Sequence, residues 1–545
     1  MPPRWQVWGL ALWLAGPANF AMWMRVWEVT PDVLHRVALL AGLGTVVMGL
    51  NAALLSLLSW PKVYRTMASL LVLIAAGNAY YMWQYGVVID STMMANILNT
   101  DAREVRDLLS IGLLWVSLSL CVPALWWIWR KPLGFGSVWS QLGRNLVGVL
   151  VGLAVALAAL MASYQGLASL MRNHKSLRFM VNPLNTVYAG VDLTIRQLPK
   201  TVQPLKVVGA DAALGKAYQD GGPPPLLMLV IGETARAQNF SINGYARKTS
   251  PQLERWQANE GLVNFPQVSA CGTNTQVSLP CIFSPLTREE GGDARPREEN
   301  LLDVLQRSGL AVLWLDNQSG CKGICDRVDN ATTRGLDSPK WCESGECFDE
   351  VMLEGLDERL SALDPVRRAK GVVLVMHQMG SHGPAYFRRT PPDRKPFQPE
   401  CDSQTLSSCT PESLVNVYDN TIAYTDHFLG RTLAWLKARD AAGTNRTGML
   451  YVSDHGESLG ESGLYLHGVP YALAPKEQTD VPMVMWMSPA MAKWSGVDPA
   501  CLARQGREGR FSHDNVFHTV LGWMDVQTSA RSEGLDLMAV CRKGG

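Results

Sequence analysis

The chain reads as two fold classes joined end to end: an α-helical membrane domain of five transmembrane helices, then an α/β domain with a mainly parallel central sheet. Three observations predict this. Five stretches without Asp, Glu, Lys or Arg all lie before residue 172 of the 545. Beyond residue 223, short apolar runs that end in polar clusters alternate with helical stretches. Of the eleven cysteines, all but Cys121 follow Met171.

The uncharged stretches are residues 5–24, 37–59, 66–89, 108–129 and 145–171. Each has about 20 residues or more, enough to cross a hydrocarbon core of roughly 30 Å as a helix. A cleaved signal peptide is the alternative for the first, but its apolar run is long and no small-x-small site closes it. Basic residues set the orientation. Arg4, then Lys62 and Arg65, then Arg130, Lys131 and Arg144 flank alternate ends of the spans, with no acid in those loops. The opposite loops mix signs, with Arg25, Glu28, Asp32 and Arg36, then Asp90, Asp101, Arg103, Glu104, Arg106 and Asp107. The N-terminus is therefore expected inside and everything after Met171 outside. The domains expected are 1–171 in the membrane, a linker over 172–222 and an outer domain over 223–545.

The linker is broken at Asn182-Pro183 and Gln203-Pro204, and residues 178–198 suit an amphipathic helix on the membrane surface. Gly221-Gly222-Pro223-Pro224-Pro225 makes a stiff end. The apolar runs that follow, 226–231, 310–315, 371–376 and 448–452, have the continuous hydrophobicity of strands buried on both faces. Helices are expected over 300–308, 348–363 and 414–437. In parallel sheets ligands gather beyond the carboxyl ends of the strands. Glu233, Asp316 with Lys322, His377 with His382, and Asp454 with His455 stand there.

Ten cysteines outside the cytosol favour disulfides. Pairing near neighbours gives Cys271–Cys281, Cys321–Cys325, Cys342–Cys347 and Cys401–Cys409, which leaves Cys501–Cys541. Zinc at Cys321/Cys325 or Cys342/Cys347 is the competing reading. A net charge of +1 with no basic cluster argues against nucleic acid as a partner.

Within Cys271-Gly-Thr-Asn-Thr-Gln-Val-Ser-Leu-Pro-Cys281 stand three hydroxyls, those of Thr273, Thr275 and Ser278. A threonine hydroxyl becomes a useful nucleophile only beside a cation or a base. Glu233 and the adjacent pair Asp454-His455, with Gly456 allowing close backbone approach, offer the oxygen and nitrogen ligands of a zinc ion. Each has a plainer reading alone. Glu233 could cap a helix, Asp454 and His455 could bond each other, Lys322 could solvate a surface, and His382 and His467 could sit in exposed loops. His377 reads as a hydrogen-bonded core residue, and His35, His174, His427, His513 and His518 have no comparable setting.

Taken together the motifs resemble those of the lipid A phosphoethanolamine transferases, which include the mobile colistin-resistance enzymes and belong to the alkaline phosphatase and sulfatase superfamily. The resemblance rests on Gly232-Glu-Thr-Ala-Arg, Asn243-Gly-Tyr-Ala-Arg, Cys271-Gly-Thr-Asn-Thr, Leu279-Pro-Cys-Ile-Phe, His377-Gln-Met-Gly-Ser-His-Gly-Pro, Ser453-Asp-His-Gly-Glu-Ser-Leu-Gly-Glu and Tyr465-Leu-His-Gly. It implies an alkaline-phosphatase-like fold for the outer domain, set in the periplasm and anchored by a multi-pass inner-membrane domain of a Gram-negative cell. It selects Thr275 as nucleophile and implies zinc held by Glu233, Thr275, Asp454 and His455. Lys322, His382 and His467 would hold the phosphate of phosphoethanolamine, with a second zinc at the histidines as a variant. Asn96 and Glu104, in the outer loop 85–109, would grip the ethanolamine. The donor implied is phosphatidylethanolamine and the acceptor a phosphate of lipid A, which loses negative charge and so attracts polymyxin less. Core heptose, the inner keto-sugar and periplasmic glucan are alternative acceptors. A monomer is expected.

Two departures stand out: Gln318 falls where some relatives have asparagine, and part of the family lacks the Cys321/Cys325 pair. A hydrolase on the same fold is the rival enzyme class, although residues 271–281 lack the Cys/Ser-x-Pro-x-Arg pattern of sulfatases. A non-catalytic sensor is the rival outside enzymes.

Overall fold

The computed structural model describes residues 3–30, 33–100, 102–130, 132–197, 205–293, 297–333, 336, 338–343 and 346–542. It divides into two compact units. The first comprises Met1–Leu98, Leu108–Leu198 and Ser462–Tyr465; the second comprises Asn99–Asp107, Pro199–Glu461 and Leu466–Gly545.

The first unit is helical. Among the described residues, four helices are long and apolar enough to cross a membrane: Arg36–Leu57, Tyr64–Tyr85, Ile111–Trp129 and Val138–Ala162. The stretch 5–24 differs from the expected single span. It forms a helix Pro3–Ala15, a 3-10 turn Pro17–Asn19 and a second helix Phe20–Val29. Pro17 has no N–H to give the preceding turn, so the ladder stops there. The carbonyls left over are met by side chains: Asn19 Nδ2 donates to Leu14 O at 2.7 Å, and Trp23 Nε1 to Ala15 O at 2.9 Å. Asn182 of the linker closes the same break, donating to Ala18 O at 2.9 Å and Ala75 O at 2.6 Å. Such repair is what lets an interrupted helix persist in apolar surroundings. The stretch 145–171 also divides, into Val138–Ala162 and Tyr164–Asn173. The linker helix begins only after Pro183, as Leu184–Gln197. Helices Val33–Leu57 and Val138–Ala162 meet backbone to backbone, because a Cβ on Gly49 would lie 2.6 Å from Gly152 O.

The second unit is built on a seven-stranded sheet, numbered here in chain order: β1 Pro225–Gly232, β2 Val263–Phe265, β3 Ala311–Asp316, β4 Asp329–Thr332, β5 Val372–His377, β6 Arg446–Ser453 and β7 Met483–Met487. The spatial order is β2-β7-β6-β1-β5-β3-β4. β6, β1, β5, β3 and β4 run parallel, whereas β7 and β2 add an antiparallel edge, so the sheet is mixed. β1 is buried along its whole length, and Leu226 to Ile231 expose nothing. Burying each such side chain contributes about 1.5–3 kcal/mol. Trp523 fits its ring against the bare backbone of Gly448, where a Cβ would come within 2.6 Å. The stretch 348–363, expected as one helix, is a 3-10 turn Asp349–Leu353 and a short helix Leu356–Ser361, divided at Gly355, whose φ is +60°.

Register matters most for function. Ser453 pairs with Gly232, Ile231 with His377, and His377 with Asp316. Four strands therefore end level, and the residues just beyond them leave the sheet at one place. Disulfides join Cys271–Cys281, Cys321–Cys325, Cys342–Cys347, Cys401–Cys409 and Cys501–Cys541, and Cys121 is a buried free thiol.

Candidate metal centre

Glu233 leaves β1 and is followed by Thr234 in a left-handed conformation, φ +53°. That is an unfavourable geometry for a β-branched residue, and it persists only where neighbours over-determine it. The Tyr418 hydroxyl donates to Thr234 O at 2.7 Å and accepts from Arg236 N at 3.0 Å. Ser381 N donates to Glu233 O at 3.0 Å, an approach that needs Gly380, whose φ is +53°. A Cβ on Gly380 would stand 2.7 Å from that same oxygen.

Asp454 and His455 leave β6 beside it. Asp454 Oδ1 accepts from His455 N at 2.8 Å and Thr234 N at 3.2 Å. The His455 Nδ1–H donates to Gly456 O at 2.8 Å, which turns Nε2 toward Asp454 Oδ2 at 3.3 Å and Glu233 Oε1 at 3.4 Å. Gly456 is required because a Cβ there would collide with Glu477 O.

Thr275 opens the helix Thr275–Ile282, capped by Asn274, whose side chain accepts from Val277 N at 3.1 Å. Its hydroxyl lies 3.2 Å from both carboxylate oxygens of Glu233. Thr273 is spent elsewhere, donating to Val469 O at 2.7 Å, and Ser278 Oγ is buried without a hydrogen-bond partner among the described residues. Of the three hydroxyls, Thr275's alone has a described hydrogen bond to Glu233.

Glu233, Asp454 and His455 present ligand atoms within 4.8 Å of one another, all buried. Asp454 Oδ2 and His455 Nε2 have no hydrogen-bond partner among the described residues. Two buried polar atoms left open, aimed into one carboxylate-lined point, fit a cation. The electrostatics agree. Burial, then the nearby Glu233, pushes the Asp454 carboxyl up to about 6. Burial pulls His455 down, but Asp454 and Glu233 overcome it and lift the imidazole to about 9. Burial also works against Glu233, yet the imidazoles of His377 and His455 beside it hold it well below the usual carboxylate range. The crowded acids hold protons on the histidines, and a bound cation would take over that neutralising role.

Around this point stand groups given no role in the site by the sequence, among them His377, which is the hydrogen-bonded core residue expected. His377 is fully buried between Asp316 Oδ2, 3.1 Å from Nδ1, and Glu233 Oε2, 3.7 Å from Nε2. Asp316 also accepts from Gln318 N at 3.0 Å and Gly320 N at 3.1 Å, which shapes the loop carrying Lys322. His513 accepts at Nδ1 from Cys271 N, 3.1 Å, and donates from Nε2 to Ser453 O, 2.9 Å, tying the Thr275 loop to the end of β6. Glu457 contacts Tyr386 and binds His467 Nδ1 at 2.7 Å. Burial pushes its carboxyl up to about 8 against the pull of the Tyr386 hydroxyl. The signal available beforehand was position alone: Asp316 and His377 end apolar runs.

The other expected residues are placed as follows. His467 lies 4.4 Å from His455 and 5.5 Å from His382 between ring centroids. Lys322 donates to Ser319 Oγ at 2.8 Å, with φ +50°. Asn96 is part-buried on the helix Ser91–Asn99 of the first unit. The side chain of Glu104 lies outside the described residues.

A buried Thr-Glu-Asp-His cluster at the carboxyl edge of this sheet accompanies a match of residues 225–526 to the Sulfatase family model. The second unit is thus of the sulfatase class. Residues 47–198 match the model "Phosphoethanolamine transferase EptA/EptB". The chain is 39% identical over 530 residues to phosphoethanolamine transferase EptA of Escherichia coli K12, covering 96% of this chain and 94% of that protein. It is 35% identical to phosphatidylethanolamine transferase Mcr-1 of Escherichia coli, covering 95% and 94%. The structure of the integral membrane lipooligosaccharide phosphoethanolamine transferase A of Neisseria meningitidis superposes with a TM-score of 0.92 at 35% identity, covering 99% of each chain. The chain belongs to the phosphoethanolamine transferase family.

Proposed function

We propose that this chain moves phosphoethanolamine from phosphatidylethanolamine to a phosphate of lipid A, with Thr275 as the group that carries it between the two. The observation that supports this best is the Thr275 hydroxyl set 3.2 Å from both Glu233 oxygens, beside the open Asp454 Oδ2 and His455 Nε2. Glu233, Asp454, His455 and Thr275 Oγ1 would hold one zinc ion. Bound there, the ion supplies Lewis acidity, lowering the pKa of the threonine hydroxyl.

In the first step Thr275 Oγ attacks phosphorus, the bond from phosphorus to the diacylglycerol oxygen breaks, and the threonine proton ends on the departing alkoxide. The helix Thr275–Ile282 presents its positive end at the reacting oxygen. Lys322, His382 and His467 would offset charge on the phosphoryl oxygens, with His467 oriented by Glu457. In the second step the hydroxyl oxygen of a lipid A phosphate attacks the same phosphorus, the bond to Thr275 Oγ breaks, and the proton given up by the attacking hydroxyl ends on Oγ. The acceptor gains an ammonium, which reduces its attraction for polymyxin.

The same reading extends to a second zinc at His382 and His467 and to Asn96 and Glu104 as ethanolamine contacts. It takes the broken stretch 5–24 as a fifth crossing, which sets the second unit in the periplasm of a Gram-negative cell as a monomer anchored in the inner membrane.

The deciding experiment incubates the full-length protein with phosphatidylethanolamine labelled in its head group. A phosphoethanolamine adduct on Thr275, discharged when lipid A is added, is the expected result. Label released to water while lipid A stays unmodified would make the protein a hydrolase. Modification of core sugar with lipid A phosphates unchanged would move the acceptor and leave the chemistry standing.

A further inference from the structure

In the first unit, the helices Pro3–Ala15 and Val138–Ala162 both pack on Val33–Leu57. Between them lies a cavity of about 620 Å³. Arg4, Arg144 and Ser140 line its polar end, and Val7, Trp8 and Val151 its apolar flank. Among the described residues no Asp or Glu lines it, and neither arginine has a carboxylate partner.

The two amide side chains of the cavity are already committed. Gln141 Nε2 and Asn145 Nδ2 each donate to Ser59 O at 3.0 Å, and Gln141 Nε2 also donates to Asn145 Oδ1 at 2.7 Å. What the cavity still offers a ligand is two guanidiniums and the hydroxyls of Ser56, Ser59 and Ser140. Two like charges lining one cleft without an acid favour an anion, and the flat guanidinium fork matches a phosphate. The apolar flank continues that site. Val147 is 60% and Val151 44% exposed on a helix long and apolar enough to cross a membrane. An acyl chain can run along that face from a head group seated at the arginines. A free anion would have no use for that apolar surface.

We propose that this cavity binds an anionic phospholipid from the leaflet on the N-terminal side, its phosphate held by Arg4 and Arg144 and one acyl chain laid against Val7, Trp8 and Val151. Basic pockets between spanning helices suit such head groups. The site lies in the first unit, and every named metal ligand lies in the second, so it is separate from the transfer chemistry.

The test is native mass spectrometry of the delipidated full-length protein titrated with phosphatidylglycerol, phosphatidylcholine or inorganic phosphate. The wild type is expected to retain phosphatidylglycerol over phosphatidylcholine. Arg4→Gln with Arg144→Gln should lose it roughly 30-fold, from the removal of two interfacial arginines. These charges also orient the chain, so Arg4→Lys with Arg144→Lys keeps the charge while removing the fork, and a partial loss is expected. Val151→Trp leaves both arginines and fills the apolar flank, and it too should lose phosphatidylglycerol. Equal retention by wild type and all variants would overturn the proposal. So would equal retention of phosphatidylcholine, or displacement of phosphatidylglycerol by inorganic phosphate at the same concentration.

Discussion

Asp349 and Asp454 are both buried carboxylates beside the loops that leave the carboxyl edge of the sheet, and their surroundings differ in kind. Asp349 accepts from Asn317 Nδ2 and Met379 N, both 2.8 Å, from Gly380 N at 3.1 Å and from Gln378 Nε2 at 3.2 Å. Its four donors leave nothing open. Asp454 has one oxygen satisfied by backbone and the other open, facing an imidazole nitrogen that is also open. The first carboxylate builds the scaffold, pinning the turn that presses Gly380 against Glu233. The second is unfinished without something the protein does not itself supply. Hydrogen-bond completeness thus distinguishes the two acids where burial does not.

The largest effect expected lies at the group nearest the open side. Thr275→Ala should lower transfer by about 10³-fold or more while leaving the melting temperature within a degree or two, because one hydroxyl is removed from a site whose scaffold stays whole. Assay of lipid A by mass spectrometry beside a thermal melt checks both. Substantial residual transfer would break the assignment. Next comes Asp454→Asn. Chelation should lower the melting temperature of the wild type, since an ion that binds only the folded state stabilises it, and leave the variant nearly unmoved. Without the ion, the variant should melt at or above the chelated wild type, because removing the second carboxylate relieves its repulsion with Glu233. A chelator response of equal size in both proteins would mean that the ion sits elsewhere.

Asp349→Ala inverts the pattern. Four buried donors lose their acceptor, so stability should fall by about 3–5 kcal/mol. The metal should still bind when the variant is folded at low temperature, read as zinc content by elemental analysis. Smaller again is His513→Phe, which keeps the ring and removes both hydrogen bonds. No other side chain places an acceptor and a donor across one rigid ring in this way. Loosening the Thr275 loop from β6 should cost about 10–100-fold in kcat, with zinc content unchanged. Unaltered kcat would leave His513 a packing residue.

These contrasts also mark what the sequence could carry. β1, β3, β5 and β6 are continuous apolar runs because both their faces are buried, and Glu233, Asp454 and His455 stand directly after two of them. The Thr275 loop was framed by its cysteines. β4, by contrast, is Asp-Asn-Ala-Thr and largely exposed, so it leaves no hydrophobic trace. β7 is apolar, but its antiparallel sense is set by a connection from β6 without a crossover helix spanning the sheet, which no residue pattern announces. The first span reads through Gly16-Pro17 because the stretch carries no charge, while the repair by Asn19 and Asn182 joins residues 163 positions apart. His513 likewise reaches Cys271 across 242 positions. Neighbouring residues inform the elements; the completion of polar groups is decided by the far parts of the chain.

Asp426 falls between the two extremes and gives the smallest, finest test. It is buried on the long helix Pro411–Ala441 and accepts from Leu253 N at 2.8 Å and Gln252 N at 2.9 Å, at the start of the helix Pro251–Glu260. Unlike Asp454 it faces no open ligand, and unlike Asp349 it has two donors rather than four. Burial pushes its carboxyl up to about 7, against the pull of the two backbone N–H groups. A folded-state pKa above the unfolded one means that the folded protein holds the proton more tightly. The stabilisation is then full below the unfolded value near 4 and lost as pH rises through about 7. The melting temperature of the wild type should accordingly carry a falling component between pH 4 and 7, and Asp426→Asn, which cannot ionise, should lack it. The absolute melting temperature of the variant will fall somewhat at low pH, since an amide cannot accept both N–H bonds as the acid's two oxygens do. The slope with pH, rather than the offset, therefore reads the effect. If the two proteins show parallel slopes across that window, two backbone donors suffice to keep a buried carboxylate ionised, and the line between complete and unfinished acids moves from four donors to two.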